Sequence, residues 1–179
     1  KVLGQSQSLE EDIRRIEAVA DAAGSDVPLR LDANGSLSVD QTLALVSQLS
    51  HLWIDYLEQP VSSLSEMAEL RTRLKGSRVR LAADELIRHQ NGLKKVIAAG
   101  AADVAVLKIS PLGGMESARG LALQANGAGL EVVISSGLET SVGLSWGIRA
   151  ADLLRKDLGS LADAGLGTAV FFRDDVVVD

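Results

Sequence analysis

Residues 29–35 read LRLDANG, a short strand-like run that leads directly into an acid, an amide and a glycine. Similar runs rich in Val, Ile and Leu recur along the chain, and each is followed by a loop and a stretch with helical periodicity. Strands are predicted at 27–31, 52–57, 79–83, 104–107 and 130–134, and helices at 8–23, 38–49, 65–74, 92–99, 114–125 and 141–154. Alternating elements of this length indicate parallel strands joined by helical crossovers.

Capping signals mark several of the predicted helix starts. Ser8 and Glu11 have the spacing of a capping box, and Ser38 and Ser65 are predicted as N-caps. In the first helix, the apolar residues are predicted to share one face that packs on the core. They are Ile13, Ile16 and Val19.

The polar residues that end the predicted strands are almost evenly spaced. Asp32, Glu58, Asp84, Lys108 and Ser135 follow one another at intervals of 26, 26, 24 and 27 residues. Units of near-constant length favour a (β/α) barrel over an open doubly wound sheet, which usually carries a glycine-rich fingerprint. The sequence contains neither that fingerprint nor a phosphate-binding P-loop motif. An α/β solenoid is the alternative explanation of such regular spacing.

The chain is short for a barrel. A complete barrel takes about 250 residues, whereas this sequence has 179. We therefore expect an α/β barrel that is N-terminally incomplete here, with further sequence before Lys1, because an open sheet edge is avoided in folded proteins. Residues 1–168 are assigned to the barrel domain. The segment 169–179, AVFFRDDVVVD, is predicted to be a strand that leaves the barrel.

Composition excludes several classes of partner. The net charge of −6 and the pI near 5.0 argue against nucleic acid or an anionic membrane as the main partner. Aromatic residues make up 3% of the chain, which disfavours a base-stacking platform. The absence of cysteine excludes thiol chemistry and is compatible with a cytoplasmic location, which we expect. Neither nucleic acid nor a membrane is therefore expected as a partner, and the sequence makes no prediction of oligomeric state.

Three of the strand-end residues are acids on consecutive strands. In a parallel barrel all strands point their carboxyl ends at one face, so Asp32, Glu58 and Asp84 are expected to converge there. Converging carboxylates repel one another unless a cation lies among them. Hard oxygen ligands with open positions suit Mg²⁺, with Mn²⁺ as a possible substitute. For one acid alone, a helix cap or a solvated loop would be the simpler interpretation.

Lys108 ends the fourth predicted strand, in VLKISPLGG, on the same side as Val104 and Val106. It is consistent with a Schiff-base nucleophile, a proton shuttle or a fixed cation. A divalent ion and a lysine at one site indicate abstraction of a proton α to a carboxylate, because the ion can stabilise the enediolate that forms.

The run DANG, LEQP, AADE, VLKISPLGG and VVISSGLETSVGL resembles the enolase superfamily, in its muconate-lactonizing subgroup. Within it, the sequence is most similar to the o-succinylbenzoate synthases of the actinobacterial type. The resemblance implies a (β/α)7β barrel with Asp32, Glu58 and Asp84 as Mg²⁺ ligands. It implies that Lys108 is a cation that stabilises the enediolate, and that Lys1 is the acid/base, the second lysine of a Lys-x-Lys pair.

The resemblance also implies that the first barrel strand, the first lysine and the capping domain are absent from this chain. The implied reaction is dehydration of 2-succinyl-6-hydroxy-2,4-cyclohexadiene-1-carboxylate, a step toward menaquinone. Ser135, Ser136 and Gly137 are expected to meet the substrate carboxylates. Asn34 and Glu85 are expected to support the metal site, although Asn34 also suits a simple turn.

Other functions remain compatible with the same residues. N-acylamino acid racemase, dipeptide epimerase and muconate cycloisomerase would use the same acids and lysines. A phosphate-binding barrel enzyme with a Schiff base on Lys108 is a second rival, against which the three acids argue. A non-catalytic fragment or binding scaffold is the third.

Overall fold

The computed structural model describes residues 8–88 and 90–176. The helices are α1 (Leu9–Ala23), α2 (Val39–Gln48), α3 (Leu64–Arg73), α4 (Gln90–Ala99), α5 (Met115–Gly127) and α6 (Ser141–Leu158). The strands are β1 (Leu29–Asp32), β2 (Ile54–Glu58), β3 (Arg80–Ala83), β4 (Val104–Lys108) and β5 (Glu131–Ser135). Short 3₁₀ turns occupy Glu85–Ile87 and Gly167–Phe171. The predicted alternation of strands and helices is confirmed.

The chain folds as two compact units. The first comprises Lys1–Leu86 and Lys95–Asp103 and contains β1, β2 and β3. These strands are parallel and lie in chain order, with Leu57 opposite Leu31 on one side and opposite Leu81 on the other. Helices α2 and α3 are the crossovers that parallel pairing requires. Buried side chains from these helices and from the strands form the core of this unit. Those that are almost fully inaccessible to solvent are Leu45, Leu49, Leu57, Met67, Leu70 and Leu81.

The second unit comprises Ile87–Lys94 and Val104–Asp179. Its strands β4 and β5 are parallel, in a register that runs from Val104 opposite Glu131 to Lys108 opposite Ser135. Helix α5 is their crossover, and α6 follows β5. The side chains buried at this core include Val104, Leu107, Leu121, Ile134 and Leu154. The α/β class with parallel strands is therefore confirmed in each unit.

Helix capping follows the sequence at two of three predicted positions. Ser8 and Ser38 close complete capping boxes with Glu11 and Gln41. The prediction of Ser65 as an N-cap is wrong, because α3 begins at Leu64 and is capped by Ser63. Glu66 lies three residues after Ser63 and reaches back to the Ser63 amide, at 3.3 Å, which is the geometry of a capping box.

The chain after residue 158 differs from its prediction. Helix α6 runs four residues beyond the predicted end and stops at Gly159, whose φ of 74° is the left-handed conformation of a helix C-cap. No strand forms within 169–176. Residues up to Phe171 complete a 3₁₀ turn, and the rest of that stretch is irregular. Positions 177–179 lie outside the described residues.

Val19 is 53% exposed, so only Ile13 and Ile16 of the predicted apolar face are buried on α1. Within residues 8–88 and 90–176, no helix is both long enough and apolar enough to cross a membrane.

Asp55 links the three strands of the first unit near their beginnings. Its carboxylate accepts a hydrogen bond from Nε of Arg30 at 2.9 Å and another from the guanidinium of Arg80. The Arg30 guanidinium also lies 5.0 Å from the centre of the Tyr56 ring. Burial by itself would raise the pKa of Asp55, but the hydrogen bonds from the two arginines outweigh burial and lower the pKa below its usual value.

We expect Asp55→Asn to lower the free energy of unfolding by about 1–2 kcal/mol at neutral pH, because it weakens two charge-assisted hydrogen bonds that are partly exposed to solvent. A lowered folded-state pKa stabilises the protein above the unfolded value of about 3.9, and this contribution is lost as the pH falls through the folded value. The stability difference should therefore close in acid. Urea unfolding at neutral and acid pH measures it, with the exposed Asp21→Asn as control. A difference that is the same at both pH values would contradict the assignment.

Candidate active site

Parallel register places the strand-end acids of the first unit on one face of the sheet. Asp32 lies opposite Glu58, and Glu58 lies opposite Ala82. Asp84 follows Ala82 by two residues, so its side chain is expected on the same face. All three carboxylates are buried, with residue exposures of 6% for Asp32, 9% for Glu58 and 8% for Asp84. Neighbouring strands are about 4.8 Å apart, so the acids form one short row.

In the described part of the chain, no group of three or more His, Asp or Glu side chains is arranged closely enough to hold a metal ion. The parallel register aligns the three carboxylates, and their convergence on one ion stays a prediction. Their chemistry fits a hard divalent cation, since carboxylate oxygens are the ligands that Mg²⁺ prefers.

Asn34 joins the first acid to the loop that follows β3. Its backbone N–H donates to Oδ1 of Asp32 at 2.9 Å, and its side-chain amide donates to Oδ2 of Asp32 at 3.3 Å and to Oε1 of Glu85 at 3.0 Å. Asn34 has a φ of 47°, so it serves as a turn residue and as a hydrogen-bond donor at once. The turn is therefore confirmed, and support of a metal site by Asn34 stays a prediction.

Glu85 carries an unsatisfied oxygen. Its Oε2 is buried and has no hydrogen-bond partner among the described residues. Leaving a buried carboxylate oxygen without a donor is costly. A cationic group brought to this position would satisfy it, which indicates that positive charge belongs beside Glu85.

Tyr56 shares the face of β2 that carries Glu58, two residues earlier on the strand. It is 3% exposed, and burial raises the pKa of its phenol to about 12, with the negative charge of Glu58 as the next cause. The phenol is therefore neutral at physiological pH and cannot add a further negative charge to the row of acids.

Because Tyr56 is the sole tyrosine of the chain, an absorbance titration of tyrosinate reports on it alone. We expect a midpoint near 12 in the folded protein, against about 10 for an unperturbed tyrosine. Glu58→Gln should lower the midpoint, because it removes a neighbouring negative charge, whereas the α3 variant Glu69→Gln should leave it unchanged.

A raised phenol pKa also means that stability is lost as the pH rises between the unfolded and folded values. The titration therefore needs rapid pH jumps that precede unfolding. A midpoint near 10 in the folded protein would contradict the environment described for Tyr56.

Lys108 and Ser135 lie side by side in the second unit, at the carboxyl ends of β4 and β5. Val104 and Val106 lie on the same face of β4 as Lys108, as the sequence predicts, and both are buried. The lysine itself is half-buried. Its stem thus leaves an apolar wall, and the register places Lys108 next to Ser135. The three acids lie in the first unit.

The loop after β5 is held by a later segment of the same unit. The Ser136 N–H and hydroxyl donate to the Gly165 carbonyl at 3.0 and 3.3 Å, and its hydroxyl also contacts Thr168 Oγ1 at 3.0 Å. The Ser135 hydroxyl donates to the same carbonyl at 3.4 Å. Both serines therefore have structural partners, and Gly137 is half-buried beside them. Whether they meet substrate stays a prediction.

Lys1, the predicted acid/base, lies outside the described residues. Gln59, which the sequence analysis did not select, is fully buried between the strand ends and makes several hydrogen bonds there. No local sequence signal indicates it, because its partners Gly35, Ala82 and Asp84 lie far away along the chain.

Residues 1–159 match the family model described as Enolase C-terminal domain-like. The chain therefore belongs to this family. The relatives named below are enzymes. It is 43% identical over 154 residues to the o-succinylbenzoate synthase of Thermobifida fusca, covering 86% of this chain and 47% of that protein. It is 42% identical over 178 residues to the o-succinylbenzoate synthase of Mycobacterium ulcerans, covering 98% of this chain and 50% of that protein. The chain thus spans about half the length of these relatives.

Solved structures agree with the family assignment. The N-succinyl Arg/Lys racemase from Bacillus cereus superposes with a TM-score of 0.84 at 32% identity, over 95% of this chain and 45% of that one. The muconate lactonizing enzyme from Pseudomonas putida superposes with a TM-score of 0.86 at 24% identity, over 99% of this chain and 48% of that one. The second likeness concerns the fold alone. The expected membership of the enolase superfamily is confirmed.

Proposed function

We propose that this chain carries the metal site and one catalytic lysine of an Mg²⁺-dependent o-succinylbenzoate synthase. The observation that carries the proposal is the buried row of acids, Asp32, Glu58 and Asp84, aligned by the parallel register of three consecutive strands. Identity of about 40% to synthases over nearly the whole chain supports the particular reaction. Residues 1–168 are proposed to belong to the barrel, and the substrate is proposed to be a small carboxylate.

In this proposal, the three acids would hold the divalent ion through carboxylate oxygens. When bound, the ion supplies positive charge that stabilises the negative charge developing on the substrate carboxylate. Asn34 holds Asp32 by donating to both of its oxygens, so that its orientation is set before any ligand arrives. Pre-orientation lowers the entropic cost of assembling the site.

The lysines move and balance charge. Lys1 is proposed to remove the proton α to the carboxylate of 2-succinyl-6-hydroxy-2,4-cyclohexadiene-1-carboxylate and then to protonate the departing hydroxyl. One C–H bond and one C–O bond break, water leaves, and the ring becomes aromatic. Lys108 is proposed to stay protonated and to stabilise the negative charge that builds up between these steps. Its half-buried position at the end of β4 suits a fixed cation.

A racemase is the second candidate, because the N-succinyl Arg/Lys racemase from Bacillus cereus is 32% identical over 95% of this chain. A racemase requires an acid/base on each side of the α-carbon, so Lys108 would exchange protons with the substrate instead of acting as a fixed cation. The two candidates therefore differ in what Lys108 does, which an isotope experiment can distinguish.

The test uses the protein expressed from the complete reading frame that contains this chain. Loss of the cyclohexadiene absorbance should require Mg²⁺, stop on chelation and return when the ion is restored. Lys108→Ala should lower kcat by about 10²–10³-fold, because it removes a preorganised charge at the reacting carboxylate. Lys156→Ala is the matched control, since Lys156 is exposed on α6 and pairs with Asp152 one turn away.

Each outcome decides between the candidates. Mg²⁺-dependent dehydration that is lost in Lys108→Ala supports the synthase. No dehydration, together with exchange of the α-proton of N-succinylamino acids in deuterated water, supports the racemase and overturns the synthase. Absence of both activities overturns the synthase and the racemase and favours the binding scaffold.

A further inference from the structure

Gln59 occupies an unfavourable backbone conformation at the centre of the acidic row. Its φ is 37°, and Asn34 is the other non-glycine residue with a positive φ in the part of the chain that the structure describes. A left-handed conformation is costly for a residue with a β-carbon and persists where surrounding contacts hold it. The side chain of Gln59 is also completely buried. Both features call for compensating interactions.

Those interactions reach the loops after all three strands of the first unit. The Gln59 N–H donates to the Ala82 carbonyl at 2.8 Å, and its carbonyl accepts from the Gly35 N–H at 2.6 Å. Its side-chain Oε1 accepts from the N–H groups of Asp84 at 3.2 Å and Leu86 at 3.4 Å. Its Nε2 donates to the Val61 carbonyl at 2.8 Å within its own loop. One residue therefore connects the segments that carry the three acids.

The contact with Asp84 matters most for the site. Strand β3 ends at Ala83, and its register with β2 ends where Ala82 lies opposite Glu58. Asp84 therefore lies beyond the last paired residue of the strand. The Gln59 side chain replaces strand pairing at this position, because its oxygen accepts the hydrogen bond from the Asp84 N–H that a neighbouring strand would otherwise accept.

The backbone carbonyl of Gln59 is held by Gly35, which lies close to the backbone of Ser62. Gly35 has a φ of 74°, and a β-carbon at this position would lie 3.2 Å from Cα of Ser62. The loops after β1 and β2 thus touch at Gly35, which lets its N–H reach the Gln59 carbonyl. The backbone next to Asp32 is in this way tied to the same residue as the backbone of Asp84.

We propose that Gln59 is a positioning residue that sets the affinity of the acidic row for Mg²⁺ by holding Asp84 in line with Glu58. The inference rests on the proposed function, because it presumes that the row binds the ion. The chemistry needs an amide of this length. One end must accept two N–H groups and the other must donate to a carbonyl, which neither an ionised glutamate nor an apolar side chain can do.

The test compares Mg²⁺ affinity, measured by calorimetry, in the protein from the complete reading frame and in two variants. Gln59→Met keeps length and burial but removes the hydrogen bonds of the amide, and it should weaken Mg²⁺ binding by about 10–100-fold. Leu121→Ala is the control for instability, because it opens a cavity under α5 in the second unit and should leave the affinity of the folded protein unchanged.

The outcomes separate this inference from the proposed function. If the unaltered protein does not bind Mg²⁺, the proposed function fails. If it binds and Gln59→Met binds equally well, or if Leu121→Ala loses affinity to the same extent, the positioning role is overturned and the proposed function stands.

A measurement on the unaltered protein tests the inference even if Gln59→Met does not fold. The amide hydrogens of Asp84 and Leu86 should be protected from exchange in the metal-free protein, although both lie beyond the end of β3. Exchange as fast as that of the exposed amide of Asp26 would overturn the role of the Gln59 oxygen.

Discussion

The parallel register of β1, β2 and β3 is the constraint on which the candidate site depends. It sets Asp32 beside Glu58 and Glu58 beside Ala82, so that the acids share one face of the sheet. A slip of one residue in any pair would turn one acid toward the opposite face, since side chains alternate along a strand. Buried leucines on the opposite face of the sheet stabilise this register, among them Leu31, Leu57 and Leu81.

The loops that follow these strands are shaped to support the acids. Asn34 and Gln59, the non-glycine residues in the described chain with positive φ, come two residues after Asp32 and one residue after Glu58. Each offsets its backbone cost by hydrogen bonds to the site, Asn34 to the Asp32 carboxylate and Gln59 to the Asp84 amide. Strained backbone concentrates at functional positions in many proteins. Here it coincides with the buried acids.

The sequence predicts the repeating elements well because their signals are local. The N-caps at Ser8 and Ser38 are predicted from neighbouring residues in the chain, and the structure confirms both. The N-cap at Ser63 is predictable in the same way, because Glu66 follows it at capping-box spacing. The prediction of a strand after residue 168 is wrong for 169–176, because it relied on apolar residues such as Val170 and Phe171, which are exposed in a 3₁₀ turn and not buried in a sheet.

Gln59 could not be assigned from sequence because its partners come from distant positions, including Gly35 and Asp84.

The most direct test of the metal site is anomalous diffraction from a crystal of the complete protein soaked in Mn²⁺. The peak should lie about 2.0–2.2 Å from an oxygen of each of Asp32, Glu58 and Asp84, once the aligned carboxylates close on the ion. A peak elsewhere, or none at this row, would contradict the assignment of a metal site to the three strand ends.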